Sequence, residues 1–498
     1  MSRDAPPIAT GRGSGARRGT DVLTRLQRRP PALWYQGEPV TDVTTHPAFR
    51  GGVATLAELY DLQWNHAATC LAESPTTGSP VARAFLQPRT GGELESVTAA
   101  MRVPARHTHG MMGRAPDYLN RALSAFAAGA DFFAATDPRF GANAVRLHAE
   151  LREHDLCLTH SLLTPQSNRA VGPSQQADAF MAARVASEDD SGLVIRGARM
   201  LATLPMADAI MVFPSTLLKN TPDDAPYAFG VIIATDTPGL KFICRESIDY
   251  GRSHFDHPLG SRFEEMDAVV VFDDVRVTWE NVLLYRDVER CNVAYARTGA
   301  AAGMAHQVVV KNIAKTEFVL GLAHLLVESI GADAFQHVQE KLAEIWVTLE
   351  TMRAFLRAAE VDAAPDEFGV FRPAWNPLDA ARNLFPRLYP RMIEILQQLG
   401  ASGLVAMPTA ADVKGPLADD IRHYYQAARA DARERIPLFR LAWDTALSAF
   451  AGRQVLYERF FFGDPVRMAG ALVTTHSAEM RGYADRVREI IRTTLDET

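Results

Sequence analysis

The sequence has few cysteines, and they lie far apart. Its 498 residues include only Cys70, Cys157, Cys244 and Cys291, and no two of these form a CxxC or CxxxC pair. This spacing argues against an iron–sulfur or zinc site built from neighbouring ligands. We therefore expect reduced, structural thiols that behave as small buried apolar side chains.

The sequence also has no long hydrophobic run and no strong excess of charge. The longest apolar runs, such as 268–272 and 460–462, are too short to cross a bilayer, and no charged start leads into a continuous apolar segment. A formal net charge of -7 gives no electrostatic reason to expect nucleic acid or an anionic membrane as a partner. These observations predict a protein that stays in the cytosol and has no nucleic-acid or membrane partner.

The nucleotide-binding motifs that are read most easily from a sequence are absent as well. No GxGxxG follows a predicted strand, and no GxxxxGK[ST] occurs. A Rossmann site for NADH and a P-loop are therefore both unsupported. Hydrophobic residues make up 47% of the chain and charged residues 22%, which are ordinary values for a globular protein.

The hydrophobic pattern divides the chain into parts of different secondary structure. Residues 1–30 are rich in arginine, glycine and proline and predict a mobile tail, whereas 31–165 show helical spacing, as in Leu119, Leu123 and Phe126. Residues 166–290 predict an antiparallel β-barrel or sandwich, because short branched runs alternate there with proline, glycine and aspartate. Helical spacing returns over 291–498 and predicts a C-terminal helical bundle.

The individual segments behind these assignments are few and well separated. We expect strands at 193–195, 210–213, 229–233, 240–243 and 268–271, and long C-terminal helices at 294–328, 334–359, 383–399 and 428–450.

Three polar residues within fifty positions could grip a phenolic oxygen. Arg114 and Tyr118 lie four residues apart, so that in a helix or a helix-like turn they share a face, and His160 follows an apolar segment. Donors of these types stabilise a developing phenolate. A plainer interpretation stays open for each: an arginine capped by Asp117, a tyrosine packed at a helix start, and a histidine of the core.

Several ordered segments carry a family resemblance. The chain has DVTTHPAF at 42–49, GRAPDYLN at 113–120, CLTH at 157–160, PQSNR at 165–169, GARMLAT at 197–203 and FDHPLGSRF at 255–263. With these segments it resembles the oxygenase component of two-component, reduced-flavin-dependent aromatic monooxygenases, the 4-hydroxyphenylacetate 3-monooxygenase family. The resemblance covers roughly 42–467.

The resemblance implies a fold and an activity. The fold would be α+β, mainly α, of the acyl-CoA dehydrogenase type: an N-terminal helical domain, a middle antiparallel β domain and a C-terminal helical bundle. The activity would be hydroxylation of a 4-substituted phenol, free or carrier-bound, beside its hydroxyl group. It would use O2 and FAD that a separate NADH:flavin reductase has reduced to FADH2. Members of the family are usually homotetramers or homodimers.

The resemblance also assigns roles to individual residues. Arg114, Tyr118 and His160 would hold and activate the phenol, and Ser215 and Thr216 would contact the rest of the substrate. The residues that would contact the flavin are His160, Gln166, Ser167, Asn168, Arg169, Thr203, Gly452, Arg453, Gly463 and Asp464.

Plainer interpretations of these segments also stay open. Residues 166–169 could be a simple polar loop, and the two hydroxyls after Pro214 could be turn residues. The pair His254 and His257 with Asp256 is an incomplete ligand set, so no metal site is predicted.

Other functions remain as alternatives. An acyl-CoA dehydrogenase-superfamily flavoprotein such as a hydroxyacyl-CoA dehydratase or isomerase is one, although the dehydratase pairs FAD with an iron–sulfur cluster and so needs close cysteine ligands. An acyl-CoA dehydrogenase would require a carboxylate base at the flavin. A helical oligomer that has lost its flavin is the non-enzymatic alternative.

Overall fold

A computed structural model of the chain describes residues 6–9, 15–214, 218–461 and 463–495. The N-terminal part is mainly helical. Its elements are α1 (Gly19–Arg28), β1 (Leu33–Tyr35), β2 (Glu38–Pro39), α2 (Arg50–Asn65), α3 (Ala67–Cys70), β3 (Leu71–Glu73), β4 (Pro80–Ala82), α4 (Gly91–His107), α5 (Pro116–Ala128), α6 (Ala130–Ala134) and α7 (Pro138–Glu153).

The middle part is built from two sheets. Its elements are β5 (Leu158–Ser161), β6 (Arg184–Asp189), β7 (Gly192–Thr203), β8 (Ala209–Val212), β9 (Phe229–Ala234), β10 (Leu240–Cys244), α8 (Gly260–Phe263), β11 (Asp267–Thr278) and β12 (Val282–Tyr285). One sheet has the order β2-β1-β10-β11-β7-β6 and the other has the order β12-β9-β8-β5. The strands predicted from short branched runs are thus confirmed.

The C-terminal part is a bundle of long helices. Its elements are α9 (Val288–Arg297), α10 (Ala300–Ser329), α11 (Gln336–Val361), β13 (Ala364–Pro365), β14 (Phe371–Arg372), α12 (Trp375–Gly400), α13 (Ala410–Lys414), α14 (Ala418–Tyr424), α15 (Ala432–Ala446), α16 (Ala449–Phe460), α17 (Pro465–Thr475) and α18 (Ser477–Leu495). The predicted order of helices, β sheets and helical bundle is confirmed.

Helix α10 is the centre of the bundle. It packs against α11, α12 and the N-terminal helices α4 and α5, and most of its residues are buried on every side. A helix that is apolar all round belongs inside a protein rather than on its surface. Lys311 and Lys315 are therefore exceptional, because they lie in the buried part of this helix.

The middle part differs from a purely antiparallel domain. β1 runs parallel to β10, and β5 runs parallel to β8, while the other pairs in these two sheets are antiparallel. Three of these strands, β1, β2 and β5, come from the segment expected to be helical. Short strand pieces leave no periodic signal, so the alternation of residues could not reveal them.

The expectation of a mobile tail is wrong for residues 15–30. This segment contains α1, whose buried Val22 and Leu26 join the main hydrophobic core. Arg17 is buried and forms an ion pair with Asp208 at 2.6 Å, and its Nε donates to the carbonyl oxygen of Asp155 at 2.8 Å. An arginine-rich segment is a solvated tail only when the folded protein offers no buried carboxylate with which its arginines can pair.

All four cysteines are buried and free. Their burial agrees with the expectation that they behave as small buried side chains. No helix within the described parts of the chain is long and apolar enough to span a membrane.

Candidate active site

Arg114 lies in the segment between α4 and α5, just before the proline that begins α5. Its backbone N–H donates to Oε1 of Glu265 at 2.5 Å. Gly113 precedes it, and a Cβ atom at that position would overlap the hydroxyl group of Tyr457 on α16. The glycine therefore allows α16 to approach the backbone that carries Arg114.

The Arg114 guanidinium is surrounded by aromatic rings. Its Cζ lies 4.6 Å from the ring centroid of Tyr118, 4.3 Å from that of Phe461 and 5.5 Å from that of Tyr457. Nη1 donates to the Tyr457 hydroxyl at 3.0 Å, whereas Nε is buried and has no hydrogen-bond partner. No carboxylate of the described residues forms an ion pair with this guanidinium. A buried cation without an anionic partner is costly, so the site favours an anionic or strongly accepting ligand.

His160 is brought to the same place by β5. Its ring centroid lies 5.9 Å from that of Tyr118, and its buried Nδ1 has no hydrogen-bond partner. Burial lowers the pKa of His160 well below 6.5, and the charge of Arg114 lowers it further. The imidazole is therefore neutral near pH 7 and can accept a hydrogen bond.

Tyr295 on α9 is a fourth polar residue of this site, and the sequence did not single it out. Its ring lies 5.3 Å from Phe126 and 5.7 Å from Phe213, and its buried hydroxyl has no partner. Burial raises the pKa of Tyr295, the charge of Tyr118 raises it further, and Arg114 opposes both effects. Nothing in the local pattern around Tyr295 marks it as different from any other aromatic residue of a helix.

Three buried polar atoms without partners thus surround Tyr118. They are Arg114 Nε, His160 Nδ1 and the Tyr295 hydroxyl. Buried polar groups are almost always hydrogen-bonded, so such a group of exceptions indicates a place for a small polar ligand. The structure therefore brings together the three residues that the sequence predicted as a phenol site.

Thr203 and Arg453 belong to an ionic network beside this site. Arg453 donates from Nε and Nη2 to the carboxylate of Asp267 at 3.0 and 2.8 Å, and from Nη1 to Oε2 of Glu265 at 3.1 Å. The Thr203 hydroxyl donates to Oδ1 of Asp267 at 2.7 Å. Burial opposes ionisation of Asp267, but Arg453, Arg245 and the Thr203 hydroxyl together outweigh it and lower the pKa of this carboxyl. The side chains of Thr203 and Arg453 are thus already engaged within the protein.

The polar loop that follows β5 is exposed. Gln166, Ser167, Asn168 and Arg169 all face solvent. Asn168 Oδ1 accepts from the backbone N–H of Ala170 at 3.0 Å, which holds the start of the loop in a turn. Amide, hydroxyl and guanidinium groups of this kind fit the edge of a flavin ring and its diphosphate.

The remaining sequence-based site residues lie in the C-terminal part or outside the description. Gly452 is exposed on α16, and Gly463 adopts a positive φ of 116° before α17. The Asp464 carboxylate caps α17 by accepting from the backbone N–H groups of Val466 and Arg467. Ser215 and Thr216 lie outside the described residues.

Two family models cover nearly the whole chain. The model described as 4-hydroxyphenylacetate 3-hydroxylase N terminal matches residues 19–284, and the model described as 4-hydroxyphenylacetate 3-hydroxylase C terminal matches residues 291–492. The chain belongs to the 4-hydroxyphenylacetate 3-hydroxylase family. This confirms the resemblance inferred from the ordered segments of the sequence.

Individual members of the family are similar over their full length. The 4-hydroxyphenylacetate 3-monooxygenase oxygenase component of Thermus thermophilus is 49% identical over 96% of this chain and 98% of its own length. A Streptomyces globisporus monooxygenase of a (3S)-3-amino-3-(3-chloro-4-hydroxyphenyl)propanoyl group on a peptidyl-carrier protein is 31% identical over 97% of this chain and 92% of its own length. The family thus includes enzymes named for free and for carrier-bound phenols.

Solved structures of the 4-hydroxyphenylacetate 3-hydroxylase family match the fold. A crystal structure of an oxygenase component of 4-hydroxyphenylacetate 3-monooxygenase, complexed with FAD and 4-hydroxyphenylacetate, has a TM-score of 0.92 and 49% identity, covering 97% of this chain and 99% of that one. An archaeal 4-hydroxybutyryl-CoA dehydratase has a TM-score of 0.86 at 19% identity, covering 95% of each chain, which shows a shared fold alone.

Proposed function

We propose that this protein is the oxygenase component of a two-component monooxygenase that hydroxylates a 4-substituted phenol beside its hydroxyl group. The observation that carries the proposal is the set of three unpartnered buried atoms, Arg114 Nε, His160 Nδ1 and the Tyr295 hydroxyl. A phenolic oxygen is both a donor and an acceptor, and it can satisfy groups of both kinds at one point.

Arg114 would stabilise the negative charge that develops on the phenolic oxygen. Among the described residues its buried guanidinium has only the Tyr457 hydroxyl as a hydrogen-bond partner. No carboxylate of those residues lies at hydrogen-bond distance to offset its charge. Negative charge on the phenolic oxygen raises electron density at the neighbouring ring carbon, which is the atom to be oxygenated. Donors held in place before the reaction stabilise such charge without reorganisation.

His160 would share the phenolic proton rather than remove it completely. Burial and the Arg114 charge lower the pKa of this imidazole, which disfavours a full positive charge on the ring. Its unpartnered Nδ1 can still accept a hydrogen bond from the phenol. In this arrangement Arg114 holds the charge and His160 holds the proton.

The aromatic rings around the site would exclude water. Tyr118 and Phe461 lie against the guanidinium, and Phe126 and Phe213 pack against Tyr295. Reduced FAD, when bound, would supply the two electrons that activate dioxygen, and the oxygen atom that is transferred would come from that dioxygen. A dry pocket prevents that oxygen from being lost to water as hydrogen peroxide.

The exposed loop at 166–169 is the part of the described chain that best fits the flavin. Its exposed amide and guanidinium groups follow a few residues after the strand that carries His160, so a flavin held there would lie beside the phenol. The engaged side chains of Thr203, Arg453 and Asp464 would contribute by shaping the site, or through backbone atoms.

The partners follow from this function. We propose that a separate NADH:flavin reductase supplies FADH2, that the chain works as a homotetramer or homodimer in the cytosol, and that the substrate is 4-hydroxyphenylacetate or a close relative. The relative at 49% identity is named for that substrate. A carrier-bound phenol is the second candidate, because a relative at 31% identity is named for one.

Rapid mixing tests the function directly. Anaerobic protein with reduced FAD is mixed with oxygenated buffer, with and without 4-hydroxyphenylacetate, while the flavin absorbance and the products are followed. We expect a transient flavin species, and a catechol when the phenol is present. Oxidation of the flavin at the rate of free flavin, with no catechol from any phenol, would contradict the proposal.

A further inference from the structure

A second group of charges is buried directly behind Tyr457. Lys311 Nζ and Lys315 Nζ on α10 each lie 2.5 Å from Oε1 of Glu458 on α16, and Lys315 Nζ also donates to Oε1 of Gln454 at 2.8 Å. All four residues are buried. We call Lys311, Lys315 and Glu458 the lysine cluster.

The lysine cluster carries more positive than negative charge, since two ammonium groups share one carboxylate. The neighbouring ionic network, in which Arg245 also pairs with Asp267 at 2.9 Å and with Glu264 at 2.6 Å, does not supply the missing anion. Across both groups the cations outnumber the carboxylates by one: Lys311, Lys315, Arg114, Arg245 and Arg453 against Glu264, Glu265, Asp267 and Glu458.

The excess charge is costly in the absence of a ligand. Burial lowers the pKa of Lys315, the charge of Lys311 acts in the same direction and Glu458 opposes both, so that the pKa falls to about 7. Burial also lowers the pKa of Lys311, and Arg114 is among the charges that add to this effect. An anion bound at Arg114 would offset this cost and favour the protonated lysines.

Only one layer of aromatic rings separates the lysine cluster from Arg114. Lys311 Nζ lies 5.3 Å from the Tyr457 ring and 5.7 Å from the Phe461 ring, and the Arg114 guanidinium lies against the same two rings. Tyr389 of α12 packs on the far side, with Lys315 Nζ 4.9 Å from its ring. Because aromatic rings rather than solvent fill the space between the lysine cluster and Arg114, the electrostatic interaction between these charges is only weakly screened.

We propose that the lysine cluster is a buried positive charge that stabilises the phenolate form of the substrate held at Arg114. Its members are positioning residues, because they act through Tyr457 and Arg114 rather than by touching the phenol. The inference rests on the proposed function, since it requires that a phenol binds at Arg114. A role limited to joining α10 to α16 is the competing explanation, and it predicts no effect of charge.

The size of the effect can be bounded. One unit charge within roughly 10 Å of a buried phenolate, at the effective dielectric of a protein site, shifts the pKa of that phenol by about one unit. The expected change is thus about tenfold in the ionisation equilibrium of the bound phenol.

A coloured phenol measures this directly. 4-Hydroxy-3-nitrophenylacetate is bound to the full-length protein anaerobically, with reduced FAD present, and the phenolate absorbance is titrated against pH. We expect the bound probe to ionise at a lower pH than the free probe. Lys315→Met should raise its apparent pKa by about one unit. The exposed Lys414→Met is the matched control and should leave it unchanged.

A double variant separates charge from packing. Lys315→Met with Glu458→Gln restores the net charge of the lysine cluster, because Lys311 then remains alone, and it should return the apparent pKa of the probe towards the wild-type value. A purely structural role predicts that Glu458→Gln destabilises the protein further and does not return the apparent pKa of the probe towards the wild-type value. If Lys315→Met does not fold, Lys311→Met with the same Glu458→Gln partner gives the same comparison.

The outcomes for the two proposals differ. The probe could bind to wild type with a lowered apparent pKa that Lys315→Met does not change, or that the double variant does not return towards the wild-type value. Either result overturns this inference and leaves the proposed function in place. A probe and unmodified 4-substituted phenols that all fail to bind wild type overturn both.

Discussion

Replacing Arg114 by methionine is the sharpest test of the phenol site. Methionine keeps an unbranched apolar chain between the rings of Tyr118 and Phe461, but it removes the guanidinium that lies 4.6 and 4.3 Å from their centroids. The loss of one preorganised donor to a developing oxyanion costs about 3 to 4 kcal/mol, or a rate factor of about 10²–10³. We expect catechol formation to fall by about that factor.

The assay compares catechol and hydrogen peroxide formed for each dioxygen consumed. With Arg114→Met we expect dioxygen to be consumed still, but to appear mainly as hydrogen peroxide, because the phenol is no longer activated. Loss of the flavin reaction itself would instead indicate that Arg114 acts on the cofactor.

Arg121 on the same helix as Tyr118 offers a matched control. It is buried, but its guanidinium donates to the backbone carbonyls of Ala84 and Leu86 at 3.1 and 2.6 Å. Arg121→Met should therefore lower the melting temperature while the catechol yield per folded protein stays near wild type. Wild-type catechol yield from Arg114→Met, or equal losses from both variants, would refute the assignment of Arg114.

Further expectations concern the free protein. Tyr295→Phe should leave the free energy of unfolding unchanged or raise it by about 1 kcal/mol, since the buried hydroxyl has no partner, while KM for the phenol rises about 3- to 10-fold; an unchanged KM would exclude this residue from the site. Burial lowers the pKa of His148 from 6.5 to about 4, so the unfolded chain binds the proton first and stability is lost as pH falls from 6.5 towards 4, by about 1.4 kcal/mol per pH unit. Urea unfolding at pH 6.5 and 5 should show a smaller loss for His148→Gln, whose amide can still donate to the carbonyl of Phe85, and an equal loss would contradict this assignment. Arg17→Ala should cost about 3 kcal/mol because it leaves the buried Asp208 only partly paired, and an unchanged melting temperature would restore the idea of a mobile tail.

Much of the fold could be predicted because its signal is local. The long helices α10, α11 and α12 repeat apolar residues with helical spacing, and the strands of the middle part are short branched runs between proline, glycine and aspartate. The residues that form each of these patterns are close together in the sequence. The tail was misjudged because the group that orders Arg17 is Asp208, which is 191 positions away.

The site was predicted only in part, for the same reason. Arg114, Tyr118 and His160 could be placed together because the segments that carry them recur in a known family. Glu265 and Tyr457 escaped notice as partners of Arg114, since each meets it only through the tertiary fold, at separations of 151 and 343 residues.

Helix α16 explains why these distant residues matter together. Arg453, Tyr457 and Glu458 all lie on it, and they bind the ionic network, Arg114 and the buried lysines respectively. Glu265 completes the connection, because one of its carboxylate oxygens accepts from the Arg114 backbone and the other from Arg453. A displacement of α16 would therefore change the position of the guanidinium and its electrostatic surroundings at once. If a phenol binds at Arg114 as proposed, its charge would therefore depend on the C-terminal bundle as well as on the segment that carries Arg114.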